Sequence, residues 1–136
     1  MSKKIVITGG CGFIGSHLVE LLSESNEVIA FDRYNSESDH YWLTNSKFKD
    51  RFSVVLGDIR DYDSVQSVLK GADIVIHMAA LIGIPYSYVS PLAYIRTNVE
   101  GTYNVLQASK ELELDQVMIT STSETYGTAP VSYTHL

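Results

Sequence analysis

Three features of this chain have residue types and spacing that can do chemistry: the glycine run Gly9-Gly10-Cys11-Gly12-Phe13-Ile14-Gly15, an aspartate at position 32, and a hydroxyl and a carboxylate at Thr122 and Glu124. Glycines so spaced let a backbone reverse tightly and approach a pyrophosphate with no β-carbon in the way, while Gly15 lets a following helix pack close. A helix starting there presents unpaired N–H groups and a partial positive charge to phosphate. Gly9, Gly12, Phe13, Ile14 and Gly15 are therefore candidates for holding a dinucleotide. Asp32, about 20 residues past the central glycine, is spaced to accept hydrogen bonds from both ribose hydroxyls, which points to NAD. Arg33 beside it keeps NADP open, since an arginine there can pair with a 2′-phosphate. Thr122 and Glu124 form a possible acid/base constellation. The same residues also suit capping of a short helix, with Glu124 in solvent.

The elements that must position these groups are legible in the apolar pattern. Ile5-Val6-Ile7 is a β-branched run of the kind covered on both faces, and Phe13, Ile14, Leu18 and Leu21-Leu22 then switch to helical spacing, with the helix expected to end near Ser25-Asn26. Val28 to Asp32 is a second strand, Tyr34 to Arg51 a loop with a short helix, and Phe52 to Leu56 a third strand closed by Gly57-Asp58-Ile59-Arg60-Asp61. Asp61 is an N-cap for a helix to about Lys70, with Val65, Val68 and Leu69 inward and Gly71 beyond its end. Asp73 to Ala80 is a fourth strand, and the small Ala79 and Ala80 allow close approach by a ligand. His77 within it reads as a satisfied core histidine rather than a catalyst. Ser90-Pro91 opens the longest helix, whose stripe Ile95, Val99, Thr102, Leu106 and Ser109, with Val105, Ala108 and Leu112 beside it, should cover the sheet. Asn98 in mid-helix is either solvent-facing or part of a site. Val117 to Ser121 is the fifth strand and leads directly into Thr122.

Strands alternating with helices predict an α/β fold, a Rossmann-like doubly wound parallel sheet, here incomplete, with five strands and right-handed crossovers. Ligands of such sheets bind beyond the carboxyl ends of the strands, where Asp32, Asp58, Ala79, Ala80, Thr122 and Glu124 fall. The length of 136 residues suits one modest domain. A net charge of −6 with no basic patch disfavours nucleic acid or an anionic membrane as partner. There is no apolar run of membrane length and no charged-then-apolar leader, so a cytoplasmic location is expected. The single cysteine, Cys11, excludes an internal disulfide and suits a small buried side chain. The four histidines show no ligand spacing, and no metal is expected.

In order and spacing, T-G-G-C-G-F-I-G, G-D-I-R-D, H-M-A-A, T-N-V-E-G-T and S-T-S-E-T-Y-G resemble the extended short-chain dehydrogenase/reductase family of NAD-dependent nucleotide-sugar epimerases and dehydratases, over residues 3 to about 129. The resemblance implies that Asp58 and Ile59 flank the adenine, that Ala79 and Ala80 line the cofactor, and that Thr122 hydrogen-bonds the sugar near the carbon to be oxidised. It also implies a nucleotide-sugar substrate and a homodimer for the complete enzyme. Glu124 looks like the acid of the 4,6-dehydratases, which removes the proton beside the new ketone. Family epimerases tend to lack that acid, and family decarboxylases can carry it. The runs from Leu81 to Tyr88 and Thr97 to Thr102 look closest to dehydratases acting on nucleotide-linked N-acetylglucosamine on the way to legionaminic acid.

One motif of the family is missing. Its reaction uses a Tyr-x-x-x-Lys pair, and none of the nine tyrosines here has a lysine four residues on. Residues 1–129 are accordingly expected to be the N-terminal part of an NAD-binding domain, and 130–136, which departs from the family pattern, a foreign tail. The fragment itself is expected to be inactive and, with the neighbours of its last strand absent, poorly stable. A non-catalytic NAD-binding module is the alternative from another class.

Overall fold

The structure, a computed structural model, describes residues 2–34 and 39–127, so the stretch 130–136, expected to be a foreign tail, lies outside the described residues. Five strands, β1 (Lys4–Thr8), β2 (Glu27–Asp32), β3 (Phe52–Leu56), β4 (Ile74–His77) and β5 (Gln116–Ile119), form one sheet of order β3-β2-β1-β4-β5. All four pairings are parallel. The expected doubly wound topology is thus present, with β1 at its centre and the chain crossing from one side of the sheet to the other between β3 and β4.

The period of two along β1 explains why both faces are covered. Val6 points into a cluster with Phe31, Val65, Leu69, Val75, Val105 and Ala108, built from α2 (Tyr62–Leu69) and α5 (Gly101–Glu111). Ile5 and Ile7 point the other way, to Val19 of α1 (Phe13–Leu22), Val28, Ala30 and Leu43. Leu43 lies in a short 3₁₀ turn, Tyr41–Leu43, which is the short helix expected in the loop after β2. The Asp61 side chain caps α2 by accepting from the Asp63 N–H at 3.2 Å, as its sequence position predicts.

Three expectations need correction. Helix α1 stops at Leu22, because after the i→i−4 bond from the Ser23 N–H to the Val19 carbonyl the Glu24 and Ser25 N–H groups bond only three residues back, to the Leu21 and Leu22 carbonyls. A helix absent from the sequence reading, α3 (Ile84–Val89), precedes Pro91, and Ser90 makes no side-chain cap. The Ser90 N–H instead closes α3 on the Tyr86 carbonyl. The long helix is not uniform either: α4 (Pro91–Tyr94) passes into a π-helical stretch, Ile95–Glu100, before α5. The wider turn shifts the phase, so the buried face is Gly101, Asn104, Val105, Ala108 and Ser109, while Ile95, Val99 and Leu106 of the expected stripe are exposed.

Candidate dinucleotide site

The glycine loop joins β1 to α1 at the carboxyl edge of the sheet. Gly9 has a φ of +71° and its N–H donates to the Phe31 carbonyl, so it turns the chain out of β1 while held on β2. A β-carbon on Gly15 would sit 2.2 Å from the Gly9 carbonyl oxygen, so here the close packing that demands glycine is helix against loop. A β-carbon on Gly12 would meet a single atom within 4 Å, the Gly9 oxygen, which leaves its outer side open. Gly12 is the N-cap of α1, supplies no side-chain cap, and no acid occupies the first turn. Its first N–H groups therefore face the open side of the loop, with Phe13 and Ile14 exposed beside them.

Asp32 ends β2 next to this loop. Its Oδ2 accepts from the Cys11 N–H at 2.9 Å and its Oδ1 from the Arg33 N–H at 2.8 Å. These bonds fix the carboxylate beside the loop, and each oxygen can accept a further hydrogen bond. Cys11 beneath is buried, and burial together with the Asp32 and Asp39 charges pushes its thiol up to about 12, so it is a packing residue. An open glycine turn, an uncapped helix start and an oriented acid fit a dinucleotide's pyrophosphate and ribose.

The remaining candidates divide by what their side chains touch. Asp58 forms a fork with Arg60, at 2.9 Å from Nε to Oδ1, which holds its carboxyl below the usual carboxylate range. Ile59 packs its side chain under Gly101, where a β-carbon would fall 2.6 Å from Cδ1, and its carbonyl accepts from Asn104 Nδ2 at 3.0 Å. Ala79 and Ala80 follow β4 at the same edge, and Ala79 abuts Gly9. Asn98, in the π-helical stretch, is not solvent-facing: Oδ1 accepts from the Leu81 N–H at 2.8 Å and Nδ2 donates to the Leu81 carbonyl at 2.9 Å. Thr122 is exposed past β5 and precedes a 3₁₀ turn, Ser123–Tyr126. The Glu124 side chain lies outside the described atoms.

His77 is the satisfied core histidine that its place on β4 suggests. It is buried, both ring nitrogens are hydrogen-bonded, to Thr8 and Thr102, and burial lowers its pKa. Those two threonines were not legible as partners, because their meeting depends on the β1–β4 register and on the π turn. A groove of about 510 Å³ between α2 and the β2–β3 side contains none of the candidate residues. Among the described residues no helix is long and apolar enough to cross a membrane.

A doubly wound sheet with this loop and this acid defines a dinucleotide-binding domain. The family model of GDP-mannose 4,6 dehydratase matches residues 6–135. The chain is 34% identical to a UDP-N-acetyl-alpha-D-glucosaminuronate decarboxylase of Bacillus cytotoxicus, over 93% of this chain and 39% of that protein. It superposes with a TM-score of 0.82 and 32% identity on a dTDP-glucose 4,6-dehydratase of Streptomyces venezuelae solved with NAD bound, covering 95% of this chain and 42% of that one. A UDP-N-acetylglucosamine 4-epimerase of Methanobrevibacter ruminantium, in complex with UDP-N-acetylmuramic acid, gives a TM-score of 0.80 and 33% identity over 95% of this chain and 41% of that one. The chain belongs to the NAD-dependent epimerase/dehydratase family of extended short-chain dehydrogenases/reductases, and it spans about two fifths of the length of these relatives.

Proposed function

We propose that this chain is the cofactor-binding part of a nucleotide-sugar 4,6-dehydratase that uses NAD and acts on a hexose, N-acetylglucosamine in the finer reading. The observation that supports the cofactor assignment is Asp32, a carboxylate fixed beside the glycine loop by the Cys11 and Arg33 N–H groups, whose oxygens would accept the ribose hydroxyls. A carboxylate so placed repels a 2′-phosphate, which favours NAD over NADP despite Arg33. When bound, NAD supplies a reversible acceptor for hydride. The α1 N-terminus neutralises pyrophosphate charge, and Gly12 admits it to the backbone. At the β5 exit Thr122 would donate to or accept from the sugar hydroxyl. Glu124, two residues on, would take the proton at carbon five as water leaves carbon six.

The dehydratase assignment is tested in the full-length protein by Glu124→Gln: loss of water elimination with NAD binding retained is expected, and undiminished elimination sinks it. A second reading, a 4-epimerase or decarboxylase, is favoured by the decarboxylase and epimerase among the relatives above. Product analysis of the same protein separates the three. The complete protein is further proposed to be a homodimer, a reading supported by the exposed apolar side chains of Leu92, Ile95 and Val99. Static light scattering decides this point.

A further inference from the structure

The ring of His77 lies in a chain of hydrogen bonds whose direction can be worked out. The Thr102 hydroxyl donates to the Asn98 carbonyl, one helical turn back, at 2.8 Å, so it must accept from His77 Nε2, 3.0 Å away. At the other end Thr8 Oγ1 accepts from the Ala79 N–H at 3.1 Å and shares the Met78 N–H, at 3.1 Å, with the Thr8 carbonyl, at 3.2 Å, so its own proton goes to His77 Nδ1 at 2.7 Å. Both ends require the same state: neutral imidazole, with the proton on Nε2. A second proton on the ring would leave the Thr8 hydroxyl with no acceptor and a charge in the core.

We infer that His77 is a positioning residue, whose Nε2–H tautomer, locked between Thr8 and Thr102, sets the Ala79–Leu81 segment against the π turn and so shapes the wall on which the dinucleotide lies. The relay reaches that wall at two points. Ala79 is tied through Thr8 and sits against Gly9, where a β-carbon would come 3.0 Å from the Ala79 nitrogen. Leu81 is clamped by Asn98, whose carbonyl ends the relay on the other side. The wider π turn places Asn98 and Thr102, four residues apart, so that one reaches Leu81 and the other His77.

This inference rests on the dinucleotide reading above, and its test keeps the two apart. Long-range proton–nitrogen spectra of ¹⁵N-histidine-labelled full-length protein should show His77 with Nε2 protonated and Nδ1 bare; an Nδ1–H tautomer overturns the relay without any substitution. Thr102→Val, which takes away the acceptor of the His77 Nε2–H, should weaken NAD binding by about two- to tenfold and speed amide exchange at Ala79 and Leu81, with Thr102→Ser restoring both. A Thr102→Val protein that melts earlier yet binds NAD as the unsubstituted protein does would reduce His77 to a purely structural residue and refute the proposal. If the unsubstituted protein binds no NAD, the dinucleotide reading fails, and the tautomer together with Ala79 and Leu81 exchange still decides the relay.

Discussion

β1 and β5 are both short apolar strands in the same parallel sheet, yet they live in different surroundings. Val6 and Ile7 of β1 are 0% exposed, whereas Val117, Met118 and Ile119 of β5 are 37, 48 and 43% exposed. The difference is one of position. β1 has a strand on each side and helices over both faces, while β5 is an edge strand that, among the described residues, pairs with β4 alone. The lesson is that the cofactor loop stands on the finished half of the sheet and the residues proposed for the sugar chemistry stand on the open half. Stability and NAD binding should therefore answer to one set of residues, and self-association to another.

The largest expected contrast is in the core. Ile7→Ala should cost about 3–4 kcal/mol, the usual range for a fully buried isoleucine that leaves a cavity, and Ile119→Ala under about 1 kcal/mol. Urea unfolding of both variants checks this, and equal losses would mean that β5 is covered in solution. Next in size is Asp32→Ala, which should weaken NAD binding by about 10–100-fold, or roughly 1.4–2.8 kcal/mol. Calorimetry measures it. The melting temperature should fall as well, because the substitution leaves the N–H of the buried Cys11 without its acceptor.

Much of this contrast is visible in the residues alone, and the part that is not has physical causes. The positions of the strands and the glycine loop follow from local runs such as Ile5-Val6-Ile7 and from the spacing to Asp32, which need no knowledge of distant partners. The face of the long helix does not follow, because the π turn at Ile95–Glu100 arises from what Asn98 and Thr102 bond, namely Leu81 and His77, far away in sequence. Likewise Ile59 sits as well in a loop at the strand ends as in the core, and only Gly101, which admits its side chain, decides between them. Thr8 reads as the first residue of a phosphate loop, and its bond to His77 appears once β1 and β4 are in register.

A smaller effect separates the two halves by pH. Burial depresses the His77 pKa below its ordinary value near 6.5, so the unfolded chain takes up a proton that the folded one refuses. The stability linked to His77 is fully present above about pH 6.5 and is lost as pH falls through the lower folded value. Asp58, lowered mainly by its bond to Arg60, contributes in the same direction in the more acidic window below about pH 4, as its carboxylate protonates. Melting temperature followed from pH 7.5 to 5 should fall, and the fall should shrink in His77→Gln. A flat profile would place a compensating charge near the ring.

The smallest expected change in stability accompanies the clearest change in behaviour. An edge strand offers unpaired backbone groups, and apolar side chains beside them make it a template for pairing with further copies of the chain. The 136-residue chain expressed as it stands should therefore elute broadly and early on size exclusion. Met118→Lys puts a charge on this edge at a side chain that is 48% exposed, so little burial is given up and the unfolding free energy should shift by no more than about 0.5 kcal/mol. Repulsion between lysines on neighbouring copies then opposes edge-to-edge pairing, and the elution peak should sharpen toward the monomer. The same substitution at Val75 in β4, which is 0% exposed, would bury an unpaired ammonium and unfold the domain. If Met118→Lys leaves the elution unchanged, the association does not run through β5, and the exposed apolar residues of the long helix, Leu92, Ile95 and Val99, become the next to replace.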